Sequence, residues 1–121
     1  MDSMKVFIVD DSEVVQGILV EELSHIQGVQ ICGVEDTPDD AVSSIQKNMP
    51  DLIILDIILK GGNGFEVLKR IREEGVHAKV LVLTNYSFPH YREICRGMGA
   101  DFFYDKSIDM ELALQTVRDM A

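Results

Sequence analysis

Val6-Phe7-Ile8-Val9 is apolar at every position, rich in β-branched side chains, and stops at Asp10-Asp11-Ser12. Such a run predicts a strand covered on both faces, because a half-exposed strand would alternate apolar with polar residues. The pattern then changes period. Val15, Ile18, Leu19, Leu23 and Ile26 recur at helical spacing, with Ser12 as N-cap, Glu21 and Glu22 off the apolar stripe, and Gly28 as the stop. Val29 to Val34 reads as a second strand, and Thr37-Pro38 opens a second helix with Val42, Ile45 and Met49 as its apolar side and Pro50 as its end. Leu52-Ile53-Ile54-Leu55, ending at Asp56, is the clearest buried strand. Gly61-Gly62-Asn63-Gly64 reads as a loop, followed by a third helix on Phe65, Leu68 and Ile71 that closes at Gly75. Lys79 to Thr84 forms a fourth strand, Pro89 to Met98 a helix closed by Gly99, Asp101 to Asp105 a fifth strand, and Asp109 caps a last helix on Met110, Ala113, Leu114 and Val117.

Strand and helix alternate five times with short connections. Parallel strands need crossovers, those crossovers are right-handed, and helices must then cover both faces of one twisted sheet. The expectation is a doubly wound α/β sandwich in a single domain over residues 1–121, without repeats, low-complexity segments or a linker.

Composition narrows the function. Hydrophobic residues make up 46% and charged residues 26%, enough for a core without disulfides or a structural metal. The net charge is −10, from 21 acidic against 11 basic residues, and no Lys/Arg cluster is present, which argues against nucleic acid or an anionic membrane surface as a partner of this chain alone. No apolar stretch approaches the roughly 20 residues of a membrane helix, and the N-terminus lacks a signal-peptide pattern. Cys32 and Cys95 form no CxxC and suit reduced thiols, so a cytoplasmic location is expected.

In open α/β sheets the site lies beyond the carboxyl ends of the strands. Asp10 and Asp11 stand at the end of strand one, Asp56 of strand three and Thr84 of strand four, while Lys106 follows strand five. Any of these residues alone is commonly a turn former, a cap or a solvated charge. Their coincidence at one sheet edge is the signal. Three clustered carboxylates repel one another and raise each other's pKa, a conflict that a hard, oxygen-liganded cation such as Mg²⁺ resolves. One carboxylate can then accept a phosphoryl group as nucleophile, with a hydroxyl and an ammonium on the phosphoryl oxygens.

This set, Asp10-Asp11, Asp56 with Gly64 eight residues on, Thr84 and Lys106, resembles the receiver domain of bacterial response regulators over essentially the whole chain. The resemblance implies a flavodoxin-like (βα)5 fold with strand order 2-1-3-4-5. It implies Asp56 as phosphoacceptor, and Mg²⁺ held by Asp11, Asp56 and the backbone carbonyl of Ile58, with Asp10 acting through water. Thr84 and Lys106 would bind phosphoryl oxygens, and Thr84 and Phe103 would form the switch pair. A histidine kinase or histidine phosphotransfer protein would be the donor. The output would be a protein contact on the face of helix four, strand five and helix five, since no effector domain follows residue 121, and a homodimer could form on phosphorylation. The domain would catalyse its own phosphorylation and slow dephosphorylation without being an enzyme in the turnover sense.

Four departures from the family pattern bear on these expectations. Lys60 stands where Pro is usual, loosening the loop or adding charge near the site; Ser107 follows the lysine where Pro is common, and a cis bond there would cost about 2.5–4 kcal/mol. Asn85 follows Thr84 in place of a small residue, narrowing access to Asp56 or bonding the phosphate. Ile58 and Tyr86 sit at positions that influence dephosphorylation, and an apolar Ile58 cannot orient water, so slow self-hydrolysis is expected. The alternative is a pseudo-receiver that acts by contacts without phosphorylation. A flavodoxin-like FMN protein is disfavoured by two negative charges in the first loop, and a haloacid-dehalogenase-type phosphohydrolase by Ser12 in place of its second acid and by the lack of a cap domain. His25, His77 and His90 show no ligand spacing and read as surface residues. The two cysteines read as small apolar groups, and the glycines at 61, 62 and 64 match no phosphate-binding fingerprint.

Overall fold

Five parallel strands build the sheet: β1 (Met4–Val9), β2 (Val29–Glu35), β3 (Leu52–Leu55), β4 (Lys79–Thr84) and β5 (Phe102–Asp105), in the order 2-1-3-4-5. The computed structural model describes residues 3–121. β1 and β3, central in the sheet, are covered on both sides: Val6 to Val9 and Leu52 to Leu55 are buried throughout. Alternate residues feed two cores. Phe7, Val9, Ile53, Leu55, Val80, Val82 and Phe103 pack against α2 (Pro38–Asn48), α3 (Gly64–Glu73) and α4 (Pro89–Gly97). Val6, Ile8, Leu52, Ile54, Leu81 and Leu83 pack against α1 (Glu13–Ser24) and α5 (Met110–Met120).

The ends of the helices explain their positions. Ser12 caps α1, its hydroxyl accepting the Val15 N–H, and Thr37 caps α2 in the same way with Asp40, ahead of Pro38 in the first turn. Asn63, within a Gly-rich run that predicts a loop, caps α3 by accepting the Glu66 N–H. That loop is partly ordered as a two-residue hairpin, Ile58–Leu59 against Gly62–Asn63.

Several sequence expectations shift. α1 ends at Ser24, and Gly28, at φ +88°, turns the chain into β2 instead of closing the helix. Ile18 is 45% exposed, so the apolar side of α1 narrows to Leu19 and Leu23, flanked by half-buried Val15 and Ile26. Met49 is exposed because α2 ends at Asn48 and Met49 takes a left-handed conformation, leaving the helix face. Asp109 is the N-cap of α5 through its carbonyl, which accepts the Ala113 N–H, but its carboxylate accepts the Asp105 N–H instead of one from the first turn. β2 runs one residue further than expected, to Glu35, and β5 starts at Phe102. The β1–β2 register slips between Val6 and Phe7, where a side chain on Gly33 would strike the Phe7 ring. The three histidines are exposed, Cys95 is buried and Cys32 half-buried. Among the described residues no helix is long and apolar enough to cross a membrane.

Candidate phosphoacceptor site

Asp10, Asp56 and Thr84 are the buried polar residues among those described, and all three stand at the carboxyl edge of the sheet. Their strands end there, so the backbone fixes each side chain before any partner is considered. β1 delivers Asp10 and Asp11, β3 delivers Asp56, and β4 ends on Thr84. Lys106 follows β5, and its N–H donates to the Thr84 carbonyl at 2.8 Å.

The Lys106 ammonium donates to Asp10 Oδ2 and to Asp56 Oδ2, at 2.7 Å each, with all three side chains less than a tenth exposed. The other oxygen of each carboxylate is held by backbone. Asp10 Oδ1 accepts the Ser12 N–H at 2.9 Å, and Asp56 Oδ1 accepts the Ile57 N–H at 2.7 Å. Carboxylate oxygens of Asp10, Asp11 and Asp56 lie within 4.8 Å of one another. Thr84 Oγ1 accepts the Tyr86 N–H at 3.1 Å, which leaves the hydroxyl proton for another oxygen.

The electrostatics follow from three carboxylates facing one ammonium. Burial pushes the Asp10 carboxyl above its ordinary value, against the pull of Lys106 and the Ser12 N–H. Burial also opposes the charge on Lys106, but its hydrogen bonds and its charge attraction to Asp10 and Asp56 together outweigh that and raise its pKa. The uncompensated negative charge and the all-oxygen donor set fit a hard divalent cation of the Mg²⁺ kind, held by Asp10, Asp11 and Asp56.

The remaining sequence candidates lie around this centre. Ile58 opens the hairpin and is 42% exposed. Phe103 is buried on the α2–α3–α4 side, with the Arg92 guanidinium 4.8 Å above its ring and an Arg92 N–H on its carbonyl at 3.0 Å. Lys60 is tied to the end of β2. Its ammonium pairs with Asp36 at 3.1 Å and its N–H donates to the Asp36 carbonyl, so its charge is turned to the end of β2. The Lys106–Ser107 bond is trans, like every peptide bond described. Ser107 donates its hydroxyl to Asn85 Oδ1 at 2.9 Å. The sequence singles out Asn85 and Ser107 separately but not their pairing, and it carries no signal for Gln16, whose amide donates to the Asp10 carbonyl.

Gly64 has a role that the spacing hinted at. A Cβ there would lie 2.2 Å from the Asp56 carbonyl oxygen and 3.0 Å from the Ile57 Cα. α3 therefore begins against the backbone of the phosphoacceptor candidate, with the Gly64 N–H on the Ile57 carbonyl.

Comparison with known proteins agrees with this geometry. The family described as response regulator receiver domain matches residues 6–118, and the chain belongs to it. It is 30% identical to the transcriptional regulatory protein DesR of Bacillus subtilis over 97% of this chain and 58% of that protein. It is 25% identical to the response regulator GacA of Pseudomonas aeruginosa over 97% of this chain and 55% of that protein. The chain thus spans just over half the length of these curated relatives. A chain of the CheX–CheY–BeF3–Mg2+ complex from Borrelia burgdorferi superposes with a TM-score of 0.88 at 25% identity, covering 98% of this chain and 90% of that one.

Proposed function

We propose that this receiver domain is a phosphorylation-driven switch whose phosphoacceptor is Asp56. The observation that carries this reading is the buried Lys106 ammonium bridging Asp10 and Asp56 at 2.7 Å, with an Asp11 carboxylate oxygen within 4.8 Å of theirs. A buried carboxylate pinned by a backbone amide on one oxygen presents the other in a fixed direction, which is what in-line attack requires.

In the proposed reaction an Asp56 oxygen attacks the phosphorus of a phosphohistidine on a histidine kinase or phosphotransfer protein. The new O–P bond forms as the P–N bond breaks, and the imidazole nitrogen leaves with the electron pair and is protonated by solvent water. Lys106 transfers one of its donors from Asp56 to a phosphoryl oxygen, and the Thr84 hydroxyl donates to a second. Asp10, Asp11 and Asp56, with the Ile58 carbonyl, would hold Mg²⁺, which when bound neutralises charge on the carboxylates and the phosphoryl oxygens. The five side chains that this chemistry needs are all in place, which speaks against a scaffold that has given up phosphorylation.

The phosphoryl state is read by protein contact at the face of α4, β5 and α5, in a cytoplasmic signalling pathway, with a homodimer as one outcome of phosphorylation. Thr84 and Phe103 couple the site to that face.

The test is intact-mass spectrometry after incubation with acetyl phosphate, with and without Mg²⁺, beside Asp56→Ala. One Mg²⁺-dependent phosphoryl adduct in the wild type and none in the variant is expected. No adduct in the wild type under any condition overturns the reading.

A further inference from the structure

Among the described residues Lys106 is the cation paired with Asp10 and Asp56, and because its stem is flexible, the reach of the ammonium depends on a backbone held in place beneath it. That backbone lies just past the last rung of the sheet, where Thr84 pairs with Asp105. Beyond that rung, side chains continue the pairing. Ser107 Oγ donates to Asn85 Oδ1 at 2.9 Å, and Ser87 Oγ donates to the Asp105 carboxylate. Both neighbours of Lys106 are thus tied to the loop that follows Thr84.

Ser107 contributes a second bond. Its N–H donates to Asp105 Oδ1 at 2.8 Å, and the Ile108 N–H donates to the same oxygen at 3.2 Å. An imino residue at 107 would lack that donor as well as the hydroxyl. The loop is held by hydrogen bonds in a trans conformation, and the residue that makes this work finds its side-chain partner in Asn85.

We propose that Asn85 and Ser107 form a clasp that positions Lys106 for phosphoryl transfer to Asp56. Both residues are exposed, so the bond adds little to global stability. Its effect falls on geometry. Transfer needs the ammonium within hydrogen-bond reach of a phosphoryl oxygen, and small displacements of a positioned group slow such steps strongly. Asn85 and Ser107 are positioning residues here, acting through Lys106.

The clasp rests on the phosphoacceptor reading, and one experiment separates the two. The rate of phosphoryl gain from acetyl phosphate with Mg²⁺ is followed by intact mass for the wild type, Asn85→Ala, Ser107→Ala, Ser107→Thr and the Asn85→Ala/Ser107→Ala double variant. Each alanine variant is expected to react about threefold to tenfold more slowly, the range a single positioned hydrogen bond spans. The double variant should be no slower than the slower single one, because both remove the same bond. Ser107→Thr keeps the hydroxyl and should react at the wild-type rate. Melting temperatures should stay within about 2 °C of the wild type, since a surface bond of this size moves little of the unfolding free energy. Wild-type rates in both alanine variants, additive losses in the double variant, or slowing that tracks a lowered melting temperature would overturn the clasp alone. A wild type that gains no phosphoryl mass overturns both readings.

Discussion

Gly64 and Cys95 show how much a single position can carry. At Gly64 the neighbours of a new methyl group are backbone atoms, the Asp56 carbonyl oxygen and the Ile57 Cα, and neither can rotate away. Gly64→Ala must push α3 off the end of β3, so urea titration is expected to show a loss of about 1–3 kcal/mol, the range of overpacked cores. A midpoint unchanged from wild type would contradict that contact. Cys95 makes the opposite case, of a group rendered inert. Burial pushes its thiol from 9.0 up to about 11, so at pH 8 only about one thiol in a thousand is ionised. A thiol-specific disulfide reagent at pH 8 should leave Cys95 unmodified in the folded protein and modify it once denatured. The linkage has a definite sign. The unfolded chain begins to release this proton near pH 9 and the folded chain only near pH 11, so the Cys95 contribution is intact below pH 9 and is lost as the pH rises through that window.

Among the elements, α3 and α4 are held very differently. α3 buries Gly64, Val67, Leu68 and Ile71, whereas α4 buries only Cys95. α4 is secured in addition by Arg92, which reaches across to the ring and carbonyl of Phe103. Local opening should therefore be easier at α4 than at α3. Hydrogen exchange followed by mass spectrometry is expected to show faster exchange in peptides covering 89–97 than in those covering 64–73, with Arg92→Ala widening the difference. Equal protection in the two helices would show that buried side chains do not govern their opening. The same contrast explains what could be read in advance. β1, β3 and β4 announce themselves because strands covered on both faces carry unbroken apolar runs, here Val6 to Val9, Leu52 to Leu55 and Val80 to Leu83, and the caps Ser12 and Thr37 sit before clear helical stripes. Ile18 and Met49 misled because both fit a helical spacing, but only tertiary packing decides where the buried stripe ends and where the backbone leaves the helix. Asp10, Asp11, Asp56, Thr84 and Lys106 were legible because topology alone sends strand ends to one edge. The Asn85–Ser107 bond was not, since it joins exposed polar residues 22 positions apart in two loops.

For the whole molecule, the acidic balance matters most where it is concentrated. Three carboxylates within 4.8 Å are answered by one ammonium, so the folded state offers a divalent cation something the unfolded chain does not. Mg²⁺ should raise the melting temperature. A free concentration about tenfold above its dissociation constant corresponds to about 1.4 kcal/mol of added stability. The increment should shrink in Asp11→Asn, and its persistence there would remove Asp11 from the ligand set.

The bond between Lys106 and Asp10 spans 96 residues. Contacts of that separation are among the last a chain can close, because the loop they seal is nearly as long as the domain. A chain ordered only as far as β4 holds the carboxylates without their counter-charge. If Asp56 accepts a phosphoryl group as proposed, that chemistry reports on completed folding, and in a denaturant series phosphoryl uptake should vanish along the same curve as the helical signal.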